Sequence, residues 1–193
     1  MKVLGLMGSP RLRGNSDLLL DAALAGAEAQ GAECRKVLLS KLDLAPCRHC
    51  DGCTRTQGTC VVQDEMQPLY EPLRTADRIL IASPVFFMSL TAQTKMMIDR
   101  CQPFWVMKYL AKTPVAQSEH PRKGLYLGVG GCDFSTLFDS ARLILRSFFT
   151  IAEVPDWEML TFDRVEQRGE IADHPTALRD AEAAGRRLVR PAE

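Results

Sequence analysis

The chain has 193 residues, with 24 Lys and Arg balancing 24 Asp and Glu, 46% hydrophobic residues and 7% aromatic ones. That length suits one domain able to bury a core without disulfide staples, and the composition excludes disordered and fibrous chains. Balanced charge excludes the broad basic footprint of a nucleic-acid binder, and no apolar run nears the ~20 residues of a bilayer span.

In chain order, the apolar run Val3–Met7 reads as a first strand ending at Gly8. It is too short an apolar core for a secretory signal, so a cytoplasmic protein without a membrane partner is expected. From Ser16, residues Leu19, Ala22, Ala23, Gly26 and Ala27 recur at helical spacing up to Gly31, with Asn15 or Ser16 as the expected cap. Val37–Leu39 reads as a second strand, and Asp64 as the cap of a helix through Met66, Leu69, Tyr70 and Leu73. Arg78–Ser83 is a buried third strand stopped by Pro84. A helix starts near Thr91 and runs through Met97 and Ile98, until Pro103 breaks or restarts it. Gly124–Val129 is a fourth strand, and Leu137, Ala141, Ile144, Leu145 and Phe148 mark an amphipathic helix. Glu158–Phe162 and Pro175–Val189 complete the pattern as a fifth strand and a last helix. No repeat or linker interrupts it, so a single domain over 1–193 is expected, with a cysteine-rich loop at 45–60.

Strands alternating with helices predict a five-stranded parallel sheet covered on both faces, a doubly wound three-layer α/β sandwich. Ligands of such sheets bind beyond the carboxyl ends of the strands, where strand order reverses. Three loops stand there: Gly8–Asn15, Pro84–Leu90 and Gly130–Asp133.

In the first loop, Gly8 and Gly14 permit tight turns and close backbone approach. Ser9, Asn15 and Ser16 add donors, Arg11 and Arg13 add charge, and a helix N-terminus follows, the arrangement that binds an anion. The pattern is neither of the nucleotide fingerprints G-x-G-x-x-G and G-x-x-x-x-G-K-[ST], so a single terminal phosphate suits it better than a triphosphate. A Gly/Pro-rich turn with exposed arginines is the plainer alternative. Pro84, Val85, Phe86, Phe87 and Met88 form an apolar loop suited to a flat ring, unless the phenylalanines simply pack the next helix. Gly128, Gly130 and Gly131 leave room for a ligand near the backbone.

Cysteine is used seven times, and Cys47, Cys50, Cys53 and Cys60 form C-x2-C-x2-C-x6-C. An odd count with such a cluster suits metal or redox chemistry in a reducing compartment. Thiolates at three-residue spacing can wrap an iron–sulfur cubane, whereas structural zinc more often uses separated pairs. Empty reduced thiols are the third reading. Cys34, Cys101 and Cys132 read as buried or loop thiols, and His49, His120 and His174 form no triad or ligand pattern. Pro103–Leu110 is rich in large apolar side chains, which suit either core or a subunit interface.

The run G-S-P-R-x-x-G-N-S, S-P-V-F-F at Ser83–Phe87 and A-x-x-K-x-x-I-D-R at Ala92–Arg100 together resemble the flavodoxin-like NAD(P)H-dependent FMN reductases. The cysteine cluster and Asp99-Arg100-Cys101-Gln102 resemble, more narrowly, the iron–sulfur flavoprotein branch. The resemblance implies an FMN-binding domain with the flavin phosphate on Ser9, Arg11, Asn15 and Ser16 beside Gly14. It places Pro84–Met88 along the isoalloxazine ring and Gly130, Gly131 and Asp133 at its other side. It also implies a [4Fe–4S] cluster on Cys47, Cys50, Cys53 and Cys60, and a homodimer or homotetramer. Ser16 replaces a more usual Thr, which keeps the hydroxyl; Phe86 stands where Tyr is common, which loses one.

The expected function is an FMN-dependent oxidoreductase moving electrons from NAD(P)H through the flavin to a second acceptor. The flavin carries the chemistry, so no protein acid or base is assigned. The alternatives are an electron carrier using FMN and a [4Fe–4S] cluster with a ferredoxin-like partner, and a regulator that binds a phosphorylated metabolite and zinc.

Overall fold

The computed structural model describes residues 1–190. Its strands are β1 (Lys2–Met7), β2 (Glu33–Leu38), β3 (Arg78–Pro84), β4 (Lys123–Val129) and β5 (Asp156–Phe162), in the order β2–β1–β3–β4–β5. Every neighbouring pair is parallel, with Leu4 opposite Ile79 and Leu80 opposite Leu125. The sheet is therefore the expected doubly wound, flavodoxin-like one. The three central strands are buried almost end to end, while β2 and β5 alternate between exposed and covered residues. Burial on both faces produces continuous apolar runs, and an edge strand does not. That is why β2 and β5 start earlier than their apolar residues suggest, at Glu33 and Asp156, and why Leu39 falls into a short 3-10 turn beyond β2.

The helices are α1 (Asn15–Glu28), α2 (Gly52–Arg55), α3 (Gln67–Thr75), α4 (Ala92–Asp99), α5 (Gln102–Trp105), α6 (Asp139–Ile151) and α7 (Ala177–Val189). Successive strand residues face opposite ways, so Val3, Met7, Leu80 and Leu125 pack under α1 and α7. Leu4, Leu6, Ile79 and Ile81 pack against Leu73 of α3, Met97 of α4 and Phe148 of α6. The five expected helices are joined by two single-turn ones, α2 inside the cysteine loop and α5 where Pro103 restarts the chain. Through α5 and just after it, Phe104 and Met107 enter the core while Trp105, Tyr109 and Leu110 stay exposed, so the expected core role of the Pro103–Leu110 segment holds in part.

Three caps differ from expectation. Gly14, with no side chain to contribute, holds the N-cap position of α1, and Asn15 and Ser16 lie within the helix. Met66 precedes α3, and Asp64 only supports its entry by accepting the Met66 N–H at 3.1 Å. The last helix starts at Ala177 rather than Pro175, with His174 Nδ1 accepting the Thr176 and Ala177 N–H groups.

Arg122 is buried without a carboxylate partner among the described residues, and burial pulls its pKa down to about 10. Its guanidinium donates to the carbonyls of Leu73 and Ala76 at the end of α3 and of Ala152 at the end of α6. It thereby satisfies orphan carbonyls and the negative ends of two helix dipoles. Among the described residues no helix is long and apolar enough to cross a membrane.

The α1–α7 layer is set by glycine. A Cβ on Gly26 would lie 2.1 Å from the Glu182 carbonyl oxygen, and one on Gly185 1.8 Å from that of Ala23. Both clashes are with backbone, so the helices must part to admit a methyl group. Gly26→Ala and Gly185→Ala are each expected to destabilise by about 1–3 kcal/mol, read as a drop in thermal midpoint of about 2–4 °C per kcal/mol.

Candidate functional site

The chain runs from β1 to β2 on one side and then crosses to β3 on the other, so strand order reverses between β1 and β3. At their carboxyl ends lies a cleft of about 150 Å³ lined by Ser9, Arg11, Gly14–Ser16, Pro84–Phe86, Val129–Gly131, Val165, Glu166 and Arg168. The first loop is fixed at both ends. Gly8 N–H donates to Ala82 O at 2.7 Å, its carbonyl accepts from Thr91 Oγ1 at 2.7 Å, and a Cβ there would meet Thr94 Oγ1 at 2.0 Å. Further along, Ser9 Oγ accepts the Arg11 N–H at 3.1 Å, and Asp17 accepts the N–H of Arg13, which sits at φ +54°.

The first-turn N–H groups of a helix have no partners within it, and Gly14 caps them with no side-chain hydrogen bond. Ser16, 2% exposed, lines the cleft with a hydroxyl that has no partner among the described residues. A buried hydroxyl left unpaired costs about 1–3 kcal/mol, so its position beside the first-turn amides and Arg11 suits the binding of an anion. Pro84, Val85, Val129 and Val165 supply an apolar wall for a flat ring. The residues present fit a phosphorylated, planar cofactor such as FMN.

Ten of the expected site residues meet here: Ser9, Arg11, Gly14, Asn15, Ser16, Pro84, Val85, Phe86, Gly130 and Gly131. The Asn15 side chain is tied to a neighbouring segment of the chain, donating to Gln167 O at 2.9 Å and accepting the Ile171 N–H at 3.2 Å. Phe87, Met88 and Asp133 lie outside the cleft wall. Phe87 is fully exposed, Phe87 and Met88 form the centre of a tight turn with φ of +48° and +61°, and Asp133 pairs with Arg164 at 2.9 Å. Sequence reasoning missed Val165, Glu166 and Arg168. They belong to a strap between β5 and α7 that Val165 N–H ties to Gly130 O and Arg168 ties to Leu12 O at 2.7 Å. The only signal for it was position after the fifth strand.

Cys47, Cys50, Cys53 and Cys60 line a second cavity, of about 140 Å³, with Val61, Arg100 and Pro103 among its walls. Gly58 holds φ +118° and lets the loop pack on Met107 beyond α5, while a Cβ on Gly52 would meet Val61 at 2.5 Å, so that glycine lets the segment fold over itself. His49 and Asp51 also take left-handed backbone, at φ +49° and +55°. Burial, then the neighbouring Cys60 and Cys47, hold the Cys53 thiol above its ordinary value. Among the described residues no three such side chains are drawn into ion-binding geometry, but four thiols facing one cavity are the donor set an iron–sulfur cluster takes. Cys101 is buried, with its thiol pushed above the usual range by desolvation, whereas Cys132 and His49 are exposed.

Strand order and all-parallel pairing define a flavodoxin-like α/β protein, with a cleft at the point where strand order reverses. A family model described as NADPH-dependent FMN reductase matches residues 1–143, and the chain belongs to that family. An iron-sulfur flavoprotein from Methanosarcina thermophila is 41% identical over 100 residues, 52% of each chain. Another, from Methanocaldococcus jannaschii, is 35% identical over 154 residues, 80% of this chain and 73% of that one. The chain's matches span about half the length of most such relatives. Among solved structures, an NAD(P)H:quinone oxidoreductase from Methanothermobacter marburgensis superposes with TM-score 0.71 at 17% identity, covering 100% of this chain and 98% of that one. An azoreductase from Bacillus anthracis gives 0.69 at 16%, covering 96% and 99%. At these identities the structures speak for the fold.

Asp64 and Arg100 pair beside the cysteine cavity, with side chains 9% and 1% exposed. Burial alone would raise the Asp64 carboxyl, but Arg100 and the Ala45 and Met66 amides hold it below its usual range. A carboxylate depressed in the folded state contributes stability that is whole above its unfolded pKa and lost as pH falls through the folded one. The thermal midpoint should therefore fall below about pH 4. Asp64→Asn should flatten part of that dependence and cost about 3–5 kcal/mol at pH 7 by leaving a buried guanidinium unpaired. Thermal unfolding from pH 3 to 7 (on the order of the carboxylate range) checks both.

Proposed function

We propose that the chain binds FMN in the β1/β3 cleft and works as an oxidoreductase, taking electrons from NAD(P)H and passing them to a second acceptor. The observation that carries this is the buried, partnerless Ser16 hydroxyl beside the uncapped first turn of α1, facing an apolar wall. Bound FMN would supply hydride acceptance and its release as single electrons. The chain's part is placement. Ser16, the α1 amides and Arg11 hold the phosphate; Pro84, Val85 and Phe86 support the ring and exclude water from one side; the Val165–Arg168 strap closes the other. Phe86 offers no hydroxyl, so the ring is held there by contact alone. Cys47, Cys50, Cys53 and Cys60 would hold a [4Fe–4S] cluster, which supplies one-electron exchange.

The four thiols around one cavity also favour a second reading, an electron carrier that works with a ferredoxin-like protein and has little nicotinamide activity of its own. Exposed Trp105, Tyr109, Leu110 and Leu143 support self-association as a homodimer or homotetramer.

Anaerobic reconstitution with FMN, iron and sulfide tests these readings. Flavin absorbance bleached by NADH or NADPH supports the oxidoreductase, and near-stoichiometric four-iron content with negligible NAD(P)H oxidation supports the carrier. A colourless zinc protein overturns both. Ser16→Ala should weaken FMN binding about 10- to 100-fold, the worth of one hydrogen bond to a charged group. Riboflavin, which lacks the phosphate, should bind wild type and variant alike; fluorescence-quenching titrations with both flavins decide it.

A further inference from the structure

Arg100 stands at the C-cap of α4 and is 1% exposed, yet it forms part of the wall of the cysteine cavity. Its Nη1 donates to Ala45 O at 2.7 Å and to Asp64, and its Nη2 donates to Asp64 Oδ1 at 3.0 Å, to Val62 O at 3.5 Å and to Cys60 Sγ at 3.6 Å. Asp64 in turn accepts the Ala45 N–H at 2.9 Å. The ion pair thus joins Ala45, just before Cys47, to Val62 and Asp64, just after Cys60. The Arg100 backbone is itself fixed, since Tyr70 Oη donates to its carbonyl at 2.7 Å. Its Nε is buried and has no partner among the described residues. The other two buried arginines spend their donors on main-chain carbonyls only. Arg100 alone reaches a sulfur.

The geometry points to Arg100 as the positioning residue of the cysteine centre, one that ties the loop ends together and sets a fixed positive charge against Cys60 Sγ. This raises the reduction potential of the cluster held there and rests on the [4Fe–4S] reading above. Reduction adds one electron and one negative charge to the cluster, with no bond made or broken. The electron comes from the bound flavin in the proposed function and from dithionite in the test. Hydrogen bonds to cluster sulfurs and net charge nearby are recognised determinants of such potentials. A guanidinium donating to a ligating sulfur acts through both, and it favours the reduced form.

The test uses the full chain reconstituted anaerobically with FMN, iron and sulfide, as wild type, Arg100→Gln, Arg100→Lys and Asp64→Asn. Iron per chain is measured first, then the cluster midpoint by dithionite titration followed by electron paramagnetic resonance. At the wild-type midpoint, Arg100→Gln should show about a tenfold smaller ratio of reduced to oxidised cluster, about 59 mV for one electron. Arg100→Lys keeps the charge and should stay closer to wild type, while Asp64→Asn leaves that charge uncompensated and should move the midpoint upward. If Arg100→Gln assembles no cluster, the upward shift in Asp64→Asn supports the assignment and its absence overturns it. Arg100→Gln titrating with wild type, both Arg100 variants shifting equally, or all three variants failing to hold iron reduces Arg100 to a loop clamp and overturns it. Wild-type protein that binds flavin but no iron sinks the cluster reading itself, and is recognised before any variant is compared.

Discussion

The structure depends on one consequence of parallel pairing: each strand must return across a face of the sheet before it can pair again. With β1 lying between β2 and β3, the chain leaves to one side for β2 and to the other for β3. The two connections diverge, and a gap opens where no helix can cover the strand ends. Into that gap point the first turn of α1 and the ends of β3 and β4, with free N–H donors on one side and apolar residues on the other. Glycine makes the close approach feasible. Gly8 lets the loop lie against α4, and Gly14 ends it without a side-chain cap on the first turn of α1.

Three buried guanidiniums organise the rest, and their partners separate structure from chemistry. Arg78 reaches the carbonyls of Leu188 and Pro121, and so ties the end of α7 to the entry of β4. Arg122 collects carbonyls from α3 and α6. Burial lowers the pKa of both, the ordinary cost of a cation surrounded by dipoles. For Arg100 burial pulls the same way, but Asp64 outweighs it and the pKa rises. A cation strengthened in that way remains charged at the wall of the cysteine cavity.

The fold was legible because its central strands are buried on both sides: Val3–Met7, Arg78–Ser83 and Gly124–Val129 stand out as apolar runs bounded by Gly or Pro. The edges were less so, since Glu33 and Arg35 sit in a strand only because β1 offers them a ladder. In the candidate site, the loops after β1, β3 and β4 stood out by their composition, and their residues do meet in one cleft. The β5–α7 strap did not stand out. Val165, Glu166 and Arg168 have no spacing of their own, and their place is set by pairing to Gly130 and Leu12. The Asn15 bonds were hidden for a related reason, because only the folded chain brings its amide against that strap. Asp64 looked like a helix cap because its true partner, Arg100, is far along the chain.

The two cavities are linked by a single rigid element. α4 begins at Thr91, whose hydroxyl caps the helix and holds the carbonyl of Gly8 in the anion loop. It ends at Arg100, whose guanidinium lies in the cysteine cavity. Eight helical residues rise about 12 Å at 1.5 Å each, and Met97 and Ile98 anchor them in the core. Thr91 and Thr94 are fully buried and hydrogen-bonded to one another, so the first loop is bonded directly to the buried start of α4. The first loop at one end of α4 and the guanidinium beside Cys60 at the other thus belong to the same piece of structure, though nothing in the linear sequence sets them side by side.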